Sequence, residues 1–303
     1  MKTSWTIRRD LAARVADELL SRPDVIEVWL EGAVAEGFAH ARSDVDLRVL
    51  VAGGPLAWGS RLVDGIRIDL DATDPGDLAP SRALLGTFEV HFDDVDTFRR
   101  VRGQLGLLTR LRTARRRNGG QWLPVLEPSE CAVYRLWAVA DRSEQVLSLA
   151  EDLLGLVADG MTAEADLVWH DMRLALAGLD CAVADQPLLS TKWLPALCAR
   201  INAPDALAPG RLRSSEPDQP WFDATRARQT TALLRCWPLS GGADPELFPP
   251  EAREVGWLPQ RYTDGWFLRR GDDRIPLTDA QMWTWSLAAI GPDRTAKANQ
   301  GKG

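Results

Sequence analysis

Two aspartates at the start of a predicted strand constrain this chain more than any other feature of its sequence. Asp44 and Asp46 are one residue apart, and the segment 45–51 is mainly apolar. Side chains alternate across a strand, so the two carboxylates point to the same side of it. Two converging carboxylates supply the hard oxygen ligands that Mg²⁺ prefers. The sequence therefore predicts a magnesium site at the start of this strand, and a solvated strand end is the alternative.

A glycine turn precedes these aspartates. Gly32 follows the segment 25–30, which we predict to be a strand. Backbone N–H groups in such a turn are suited to binding phosphate oxygens. A metal site next to a phosphate-binding turn indicates nucleotide chemistry.

A third predicted strand adds a further carboxylate. Residues 65–71 alternate apolar and polar side chains, and the polar set of Arg67, Asp69 and Asp71 faces one way. If this strand pairs beside strand 45–51, a third carboxylate joins the first two. Asp69 and Asp71 are both candidates for that position.

The composition is that of a globular protein with an acidic balance. Apolar residues make up 45% of the 303 residues, charged residues 26%, and the net charge is −7. This balance argues against a long nucleic-acid interface, which needs a basic face. Without a membrane-length apolar run or the apolar core of a signal peptide, we expect a cytoplasmic protein that contacts no membrane. We expect buried thiols rather than disulfides from four widely spaced cysteines: Cys131, Cys181, Cys198 and Cys236.

These motifs resemble those of a known family. The pair Gly32-Ala33, the run 43–47 (SDVDL) and the strand context 68–70 (IDL) resemble the signature of the nucleotidyltransferase superfamily related to DNA polymerase β. The pattern is similar to that of its bacterial small-molecule, or minimal, branch. The resemblance covers residues 25–75, and the combination of turn, spacing and third carboxylate is more specific than the paired aspartates alone.

The resemblance implies an activity. It implies Mg²⁺-dependent transfer of a nucleoside monophosphate, with AMP expected, from an NTP to a hydroxyl or amine of a small-molecule acceptor, releasing pyrophosphate. In this pattern Asp44 and Asp46 hold Mg²⁺ against the triphosphate. Asp69 shares a second ion and helps to activate the acceptor, as in two-metal catalysis.

The resemblance also implies nucleotide-binding residues, with one departure. Gly32, Ala33 and Ser43 correspond to the nucleotide-binding positions, but the family usually has serine where Ala33 stands. A lost hydrogen bond to a charged phosphate is worth roughly 1.5–3 kcal/mol. Lys192, beside Trp193, resembles a lysine that faces the triphosphate from the helical domain. It is also the one lysine that we expect in the folded body, so we predict that it compensates.

Other charged residues have less definite roles. Related antibiotic-modifying enzymes take a carboxylate base from the helical domain, and Asp171, Asp141 and Glu130 are unranked candidates here. The arginines at 110–117 favour a solvated helix face over a phosphate clamp. Two alternatives to the small-molecule enzyme stay open. One is a non-catalytic nucleotide-binding or toxin–antitoxin partner protein, and the other is a tRNA or protein nucleotidyltransferase.

We predict an α+β fold with several domains. The pattern changes from strands to helices near residue 99, and the proline-rich segment 203–220 indicates a linker. The predicted parts are an α/β catalytic domain with a short mixed sheet (1–98), a helical substrate- and nucleotide-binding domain (99–205), a small C-terminal α+β module (206–290) and a disordered tail (291–303).

Overall fold

The structure is a computed structural model, and it shows helices together with two β-sheets. The residues that it describes are 3–52, 59–207, 220–242, 252 and 254–300. The helices and sheets confirm the predicted α+β class. The chain divides into two compact units, the first made of 1–88 and 100–134 and the second of 89–99 and 135–303.

A six-stranded mixed sheet forms the framework of the first unit. Its strands are β1 (Val25–Glu31), β2 (Val45–Val51), β3 (Ser60–Val63), β4 (Ile66–Thr73), β5 (Arg115–Asn118) and β6 (Gln121–Pro124). They lie in the order β3-β4-β2-β1-β5-β6. Strands β2 and β4 are parallel, and the other neighbouring pairs are antiparallel. The three strands predicted from the sequence are β1, β2 and β4, and the short mixed sheet is confirmed.

One face of this sheet is apolar and is covered by the first helix. The helices that contribute to the first unit are α1 (Ser4–Leu20), α2 (Gly32–Ala35), α3 (Pro75–Ala83), α4 (Val95–Thr113) and the start of α5 (Pro128–Ala158). Val15 and Leu19 of α1 share a core with Val28, Val49 and Ile68 of the sheet. Burying each such side chain contributes about 1.5–3 kcal/mol. The alternation of the strands leaves the opposite face to polar residues.

The sheet continues past the boundary that we predicted at residue 98. The helix expected to run from 99 to 117 ends at Thr113, and the arginine-rich segment after it forms β5 and pairs with β1. The periodicity missed this strand because its residues are polar on both faces. Arg117 is compensated by Asp17 of α1 at 2.8 Å, which makes an arginine-rich strand tolerable.

A large hydrophobic core joins helices and strands of the second unit. Its elements after α5 are α6 (Thr162–Val183), α7 (Leu194–Arg200), α8 (Pro220–Cys236), α9 (Asp279–Ile290), α10 (Pro292–Asn299) and an antiparallel sheet of β7 (Leu258–Tyr262), β8 (Gly265–Arg270) and β9 (Asp273–Leu277). Met172 of α6, Phe222 of α8, Leu268 of β8 and Met282 of α9 belong to the same core. Residues 135–205 of the predicted helical domain therefore share a core with the predicted C-terminal module, whereas residues 100–134 belong to the first unit. A sheet with one apolar face must bury that face against another element, and here helices provide it.

The tail predicted to be disordered from residue 291 is helical over its described part. Helix α10 begins with Pro292, which is suited to a first helical position, and it buries Thr295 and Ala298. The prediction of disorder is therefore wrong for this segment. Lys297 lies on α10, so Lys192 is not the only lysine in the folded body.

Three further predictions concern linkers, thiols and membranes. Most of the predicted linker 203–220 lies outside the described residues. All four cysteines are free, and Cys181 and Cys198 are buried thiols, as we expected. No helix in the described ranges is both long and apolar enough to cross a bilayer.

Candidate metal and nucleotide site

Three carboxylates lie level across three adjacent strands on the polar face of the sheet. Asp46 of β2 is paired with Glu31 of the antiparallel neighbour β1. On its other side, Asp46 is paired with Asp69 of the parallel neighbour β4. Paired residues on adjacent strands point to the same face, with Cβ atoms about 5 Å apart. The register thus brings together Asp46 and Asp69, as we predicted, and adds Glu31, which we did not predict.

Gly32 is required where β1 passes into the short helix α2. Its φ of +68° lies in the left-handed region, which favours glycine. A Cβ atom at this position would overlap Asp46 Oδ2 and lie 3.1 Å from Asp46 Cγ. The glycine turn therefore lies directly against the Asp46 carboxylate, which brings the two predicted features into contact.

Arg67 bridges the other two predicted carboxylates. Its guanidinium forms an ion pair with Asp44 and another with Asp69, whose Oδ2 is 3.0 Å from Nη2. The Ser60 hydroxyl also donates a hydrogen bond to Asp69. The side chain of Arg67 is 58% exposed, so this cation is held only by its charge partners.

The surroundings of Asp46 disfavour the ionised form of its carboxyl. Burial raises the pKa of the Asp46 carboxyl, and the neighbouring charges of Asp44, Asp69 and Glu31 raise it further. Arg110 lowers the same pKa, but the net direction remains upward. Closely spaced carboxylates disfavour one another's ionised form, which a bound cation would relieve.

A second charged cluster lies beside the first on the same face. Arg48 Nε is 2.6 Å from Glu31 Oε1, and Arg48 Nη1 donates to Thr73 Oγ1 at 2.7 Å and lies 3.0 Å from Asp71. The side chains of Arg48 and Glu31 are only 7% and 2% exposed. Asp71 therefore faces Arg48, whereas Asp69 is level with Asp46. This geometry favours Asp69 over Asp71 as the third carboxylate of the site.

The donor set of the first cluster fits a hard divalent cation. Asp44, Asp46 and Asp69 offer only carboxylate oxygens, the ligands that Mg²⁺ prefers. Within the described ranges, no three acidic, histidine or cysteine side chains are already gathered as a metal cage. Arg67 holds two of the three carboxylates in its own ion pairs. The residues that would hold Mg²⁺ are therefore these three aspartates, of which Asp44 and Asp69 are paired with Arg67 in this structure.

Two of the predicted nucleotide-binding residues, Ala33 and Ser43, lie between β1 and β2. Ala33 lies on α2 and its carbonyl accepts the Phe38 N–H at 2.8 Å. The Ser43 hydroxyl accepts the His40 N–H at 3.0 Å, and its carbonyl accepts Arg8 Nε at 2.6 Å. These two hydrogen bonds fix Ser43 in the loop that precedes Asp44.

Lys192 belongs to the second unit. It lies in a 3₁₀ turn over Thr191–Trp193, is exposed, and has its Nζ 5.5 Å from the centre of the Trp193 ring. The cation–π contact orients the ammonium group locally. Its role towards a triphosphate stays a prediction.

The candidate general bases differ in their surroundings. Hydrogen bonds from Arg82, at 2.6 and 2.9 Å, hold the pKa of the Glu130 carboxyl below its usual range, against the raising effect of burial. Glu130 also accepts the Glu127 N–H at the start of α5. A carboxylate engaged in this way is a poor proton acceptor. Asp141 is half-buried on α5 and Asp171 is exposed on α6.

The sequence did not indicate that two of its arginines belong to the site. Arg67 was assigned only to a polar strand face, and Arg110 to a solvated helix. Arg110 Nη1 lies 3.8 Å from Glu31 Oε2, with half of its side chain exposed. The signal that was available is the concentration of arginine at 110–117, of which Arg110 and Arg112 lie at the end of α4 and the others lie in β5.

No family model and no curated protein matches this chain.

Proposed function

We propose that this chain is an Mg²⁺-dependent nucleotidyltransferase of the superfamily that its motifs resemble. It transfers a nucleoside monophosphate, with AMP as the expected group, from an NTP to a hydroxyl or amine of a small molecule and releases pyrophosphate. The observation that carries this proposal is the strand register that sets Asp46 level with Asp69, directly against the Gly32 turn.

The three aspartates have distinct tasks in this proposal. Bound Mg²⁺ would supply the positive charge that stabilises the triphosphate and the pyrophosphate leaving group. Asp44 and Asp46 would hold it. Asp69 would share a second ion and help to activate the hydroxyl or amine of the acceptor, because the strand register sets it level with Asp46.

Arginines of the same unit support phosphate binding. Arg67 and Arg110 are both more than half exposed and lie against the carboxylate cluster. Guanidinium groups form paired hydrogen bonds with phosphate oxygens. Their charge offsets the loss of roughly 1.5–3 kcal/mol expected from the missing hydroxyl at Ala33. These arginines therefore make the departure at Ala33 compatible with nucleotide binding.

The acceptor is proposed to be a small molecule. The net charge of −7 disfavours a polyanionic acceptor such as tRNA. A tRNA nucleotidyltransferase would retain tRNA at low salt and lose it steeply as salt rises, so a filter-binding titration separates the two.

The experiment that tests the proposal measures pyrophosphate release. Purified protein is incubated with each labelled NTP, Mg²⁺ and candidate acceptors, and Asp69→Asn is compared with Asp71→Asn. Both variants remove one charge from the same strand face. We expect Asp69→Asn to lose roughly 100-fold or more of the rate and Asp71→Asn to change it little.

A non-catalytic nucleotide-binding protein is the second candidate, and Ala33 is the observation that favours it. In that case the NTP binds and no condition releases pyrophosphate. Equal losses in Asp69→Asn and Asp71→Asn would instead remove the role proposed for Asp69.

A further inference from the structure

A cationic cleft lies within the second unit, on the surface formed by α6, α8 and α10. Its volume is about 480 Å³, within the range of small-molecule sites. Every residue that lines it belongs to the second unit. The cleft therefore involves none of the carboxylates of the proposed nucleotide site.

Four cationic side chains converge on this cleft. Arg228 and Arg235 are seven residues apart on α8, which places them on one face two turns apart. Arg294 and Lys297 are three residues apart on α10 and lie one above the other. Asp180 of α6 is the one carboxylate in the lining. In a chain with net charge −7, this is a local excess of positive charge.

Only one of these cations is neutralised by a described residue. Arg228 donates from Nε and Nη2 to Asp180 Oδ2, at 2.8 and 2.5 Å, so its guanidinium is fixed at the edge of the cleft. Arg235, Arg294 and Lys297 form no ion pair or hydrogen bond with any residue in the described ranges. Like charges in a cleft reinforce one another's field and attract anions.

The rest of the lining makes room for an organic ligand. The walls between the charges are small or apolar, and Val183, Ala232 and Ala298 are buried there. Apolar walls with a few convergent polar groups are typical of small-molecule sites. Guanidinium groups suit the oxygens of phosphates and carboxylates.

We infer that the cleft among α6, α8 and α10 binds a small organic molecule that carries at least two anionic groups, with a phosphorylated metabolite as the favoured class. Arg235, Arg294 and Lys297 supply the net positive charge, and Arg228 lies beside them in its ion pair with Asp180. The buried apolar wall contacts the carbon frame between the anionic groups. The inference does not depend on the proposed transferase activity.

The test uses calorimetric titration of the full chain in buffer with a chelator and no divalent cation. The probes are fructose 1,6-bisphosphate, tripolyphosphate and citrate. Without a divalent cation the carboxylate cluster of the first unit repels anions, and the titrations are repeated in Asp46→Asn to confirm this. We expect binding of fructose 1,6-bisphosphate that weakens as salt rises and is unchanged in Asp46→Asn.

Two double variants test where the probe binds. Arg235→Ala/Lys297→Ala removes two charges of the cleft. Arg99→Ala/Arg200→Ala removes two exposed charges elsewhere in the same unit. We expect the first to weaken binding at least about tenfold and the second to change it little, with both keeping the wild-type unfolding temperature. No binding of any probe, or equal weakening in both variants, would overturn the inference.

Binding of tripolyphosphate without either organic probe would also overturn it, because the apolar wall would then have no role. Binding of a single-stranded RNA without any of the three small probes would assign the cleft to a polymer and overturn it too.

Discussion

Two charged clusters share one face of the six-stranded sheet, and they differ in burial and in how far their charges are compensated. In the buried cluster, Glu31 and Arg48 are almost completely buried and satisfy each other's charge. In the open cluster, Asp44, Asp46 and Asp69 are half-buried, and the exposed Arg67 pairs with Asp44 and Asp69. The buried cluster fixes the strands, while the open cluster retains unsatisfied negative charge.

This contrast separates the charges that stabilise the sheet from those that are available to a ligand. A buried pair with complete hydrogen bonding leaves nothing for a ligand to add. A carboxylate whose pKa is raised by burial and by its neighbours, as for Asp46, is held in an unfavourable state that a cation relieves. The open cluster therefore has the features of a functional site, and the Glu31–Arg48 pair those of a structural one.

The largest expected effect comes from breaking the buried pair. Arg48→Met leaves Glu31 charged and buried, which destabilises the fold by about 3–5 kcal/mol. Arg67→Met removes the corresponding arginine of the open cluster, and exposed ion pairs contribute less than about 1 kcal/mol. Urea unfolding followed by circular dichroism compares the two variants.

A double variant sharpens this result. Glu31→Leu/Arg48→Met removes both charges, so it should recover much of the stability that Arg48→Met loses. Equal stability of Arg48→Met and Arg67→Met would contradict the claim that the buried cluster stabilises the fold more than the open cluster does.

A smaller effect is expected at the turn that contacts the open cluster. Gly32→Ala introduces a side chain at a positive φ, which costs about 1–3 kcal/mol, and its Cβ displaces the Asp46 carboxylate. Divalent-cation binding should fall together with stability. Gly65→Ala serves as the control, since its φ is +75° and its added Cβ would meet no neighbour. Equal cation binding in the two variants would contradict the contact between turn and site.

The smallest effect is a change in the pH dependence of stability. Here the substitution stabilises the fold, whereas the substitutions above destabilise it. The pKa of Asp46 is raised above its ordinary value of 3.8 in the folded protein, so the folded state binds this proton more tightly than the unfolded state. Without metal, this group therefore lowers stability as pH rises from 3.8 through the raised pKa. Asp46→Asn should match wild type at the acidic end and be more stable than wild type at neutral pH.

Denaturant titrations across pH in the presence of a chelator measure this difference. Asp71→Asn is the control, because Asp71 pairs with Arg48 and its loss should not stabilise the protein. If wild type were more stable than Asp46→Asn at neutral pH, the prediction would be wrong. The negative charge of Asp46 would then already be compensated by neighbouring residues.

Local patterns predicted the parts of the site that depend on alternation and spacing. The direction of Asp44 and Asp46 follows from the period of a strand, and Asp69 follows from a second alternating strand. The pairing of Glu31 with Arg48 was missed because it depends on which strands become neighbours. Arg110 was missed because its helix face is polar in either case.

The same reasoning explains the errors elsewhere in the fold. Strand β5 has no apolar alternation, so its arginines continued the helical pattern of α4. Helix α10 is short and polar, and its two buried residues become apparent only when α8 and α9 are in place. Elements that depend on a distant partner cannot be recognised from a local pattern.

We expect the open cluster to bind a divalent cation together with a nucleoside triphosphate. Calorimetric titration of a non-hydrolysable ATP analogue in the presence of Mn²⁺, into wild type and into Asp46→Asn, measures this binding. Binding should require Mn²⁺ and should be lost in Asp46→Asn, although the variant remains folded. Nucleotide binding that persists in the chelator, or that is unchanged in Asp46→Asn, would refute the assignment of the site.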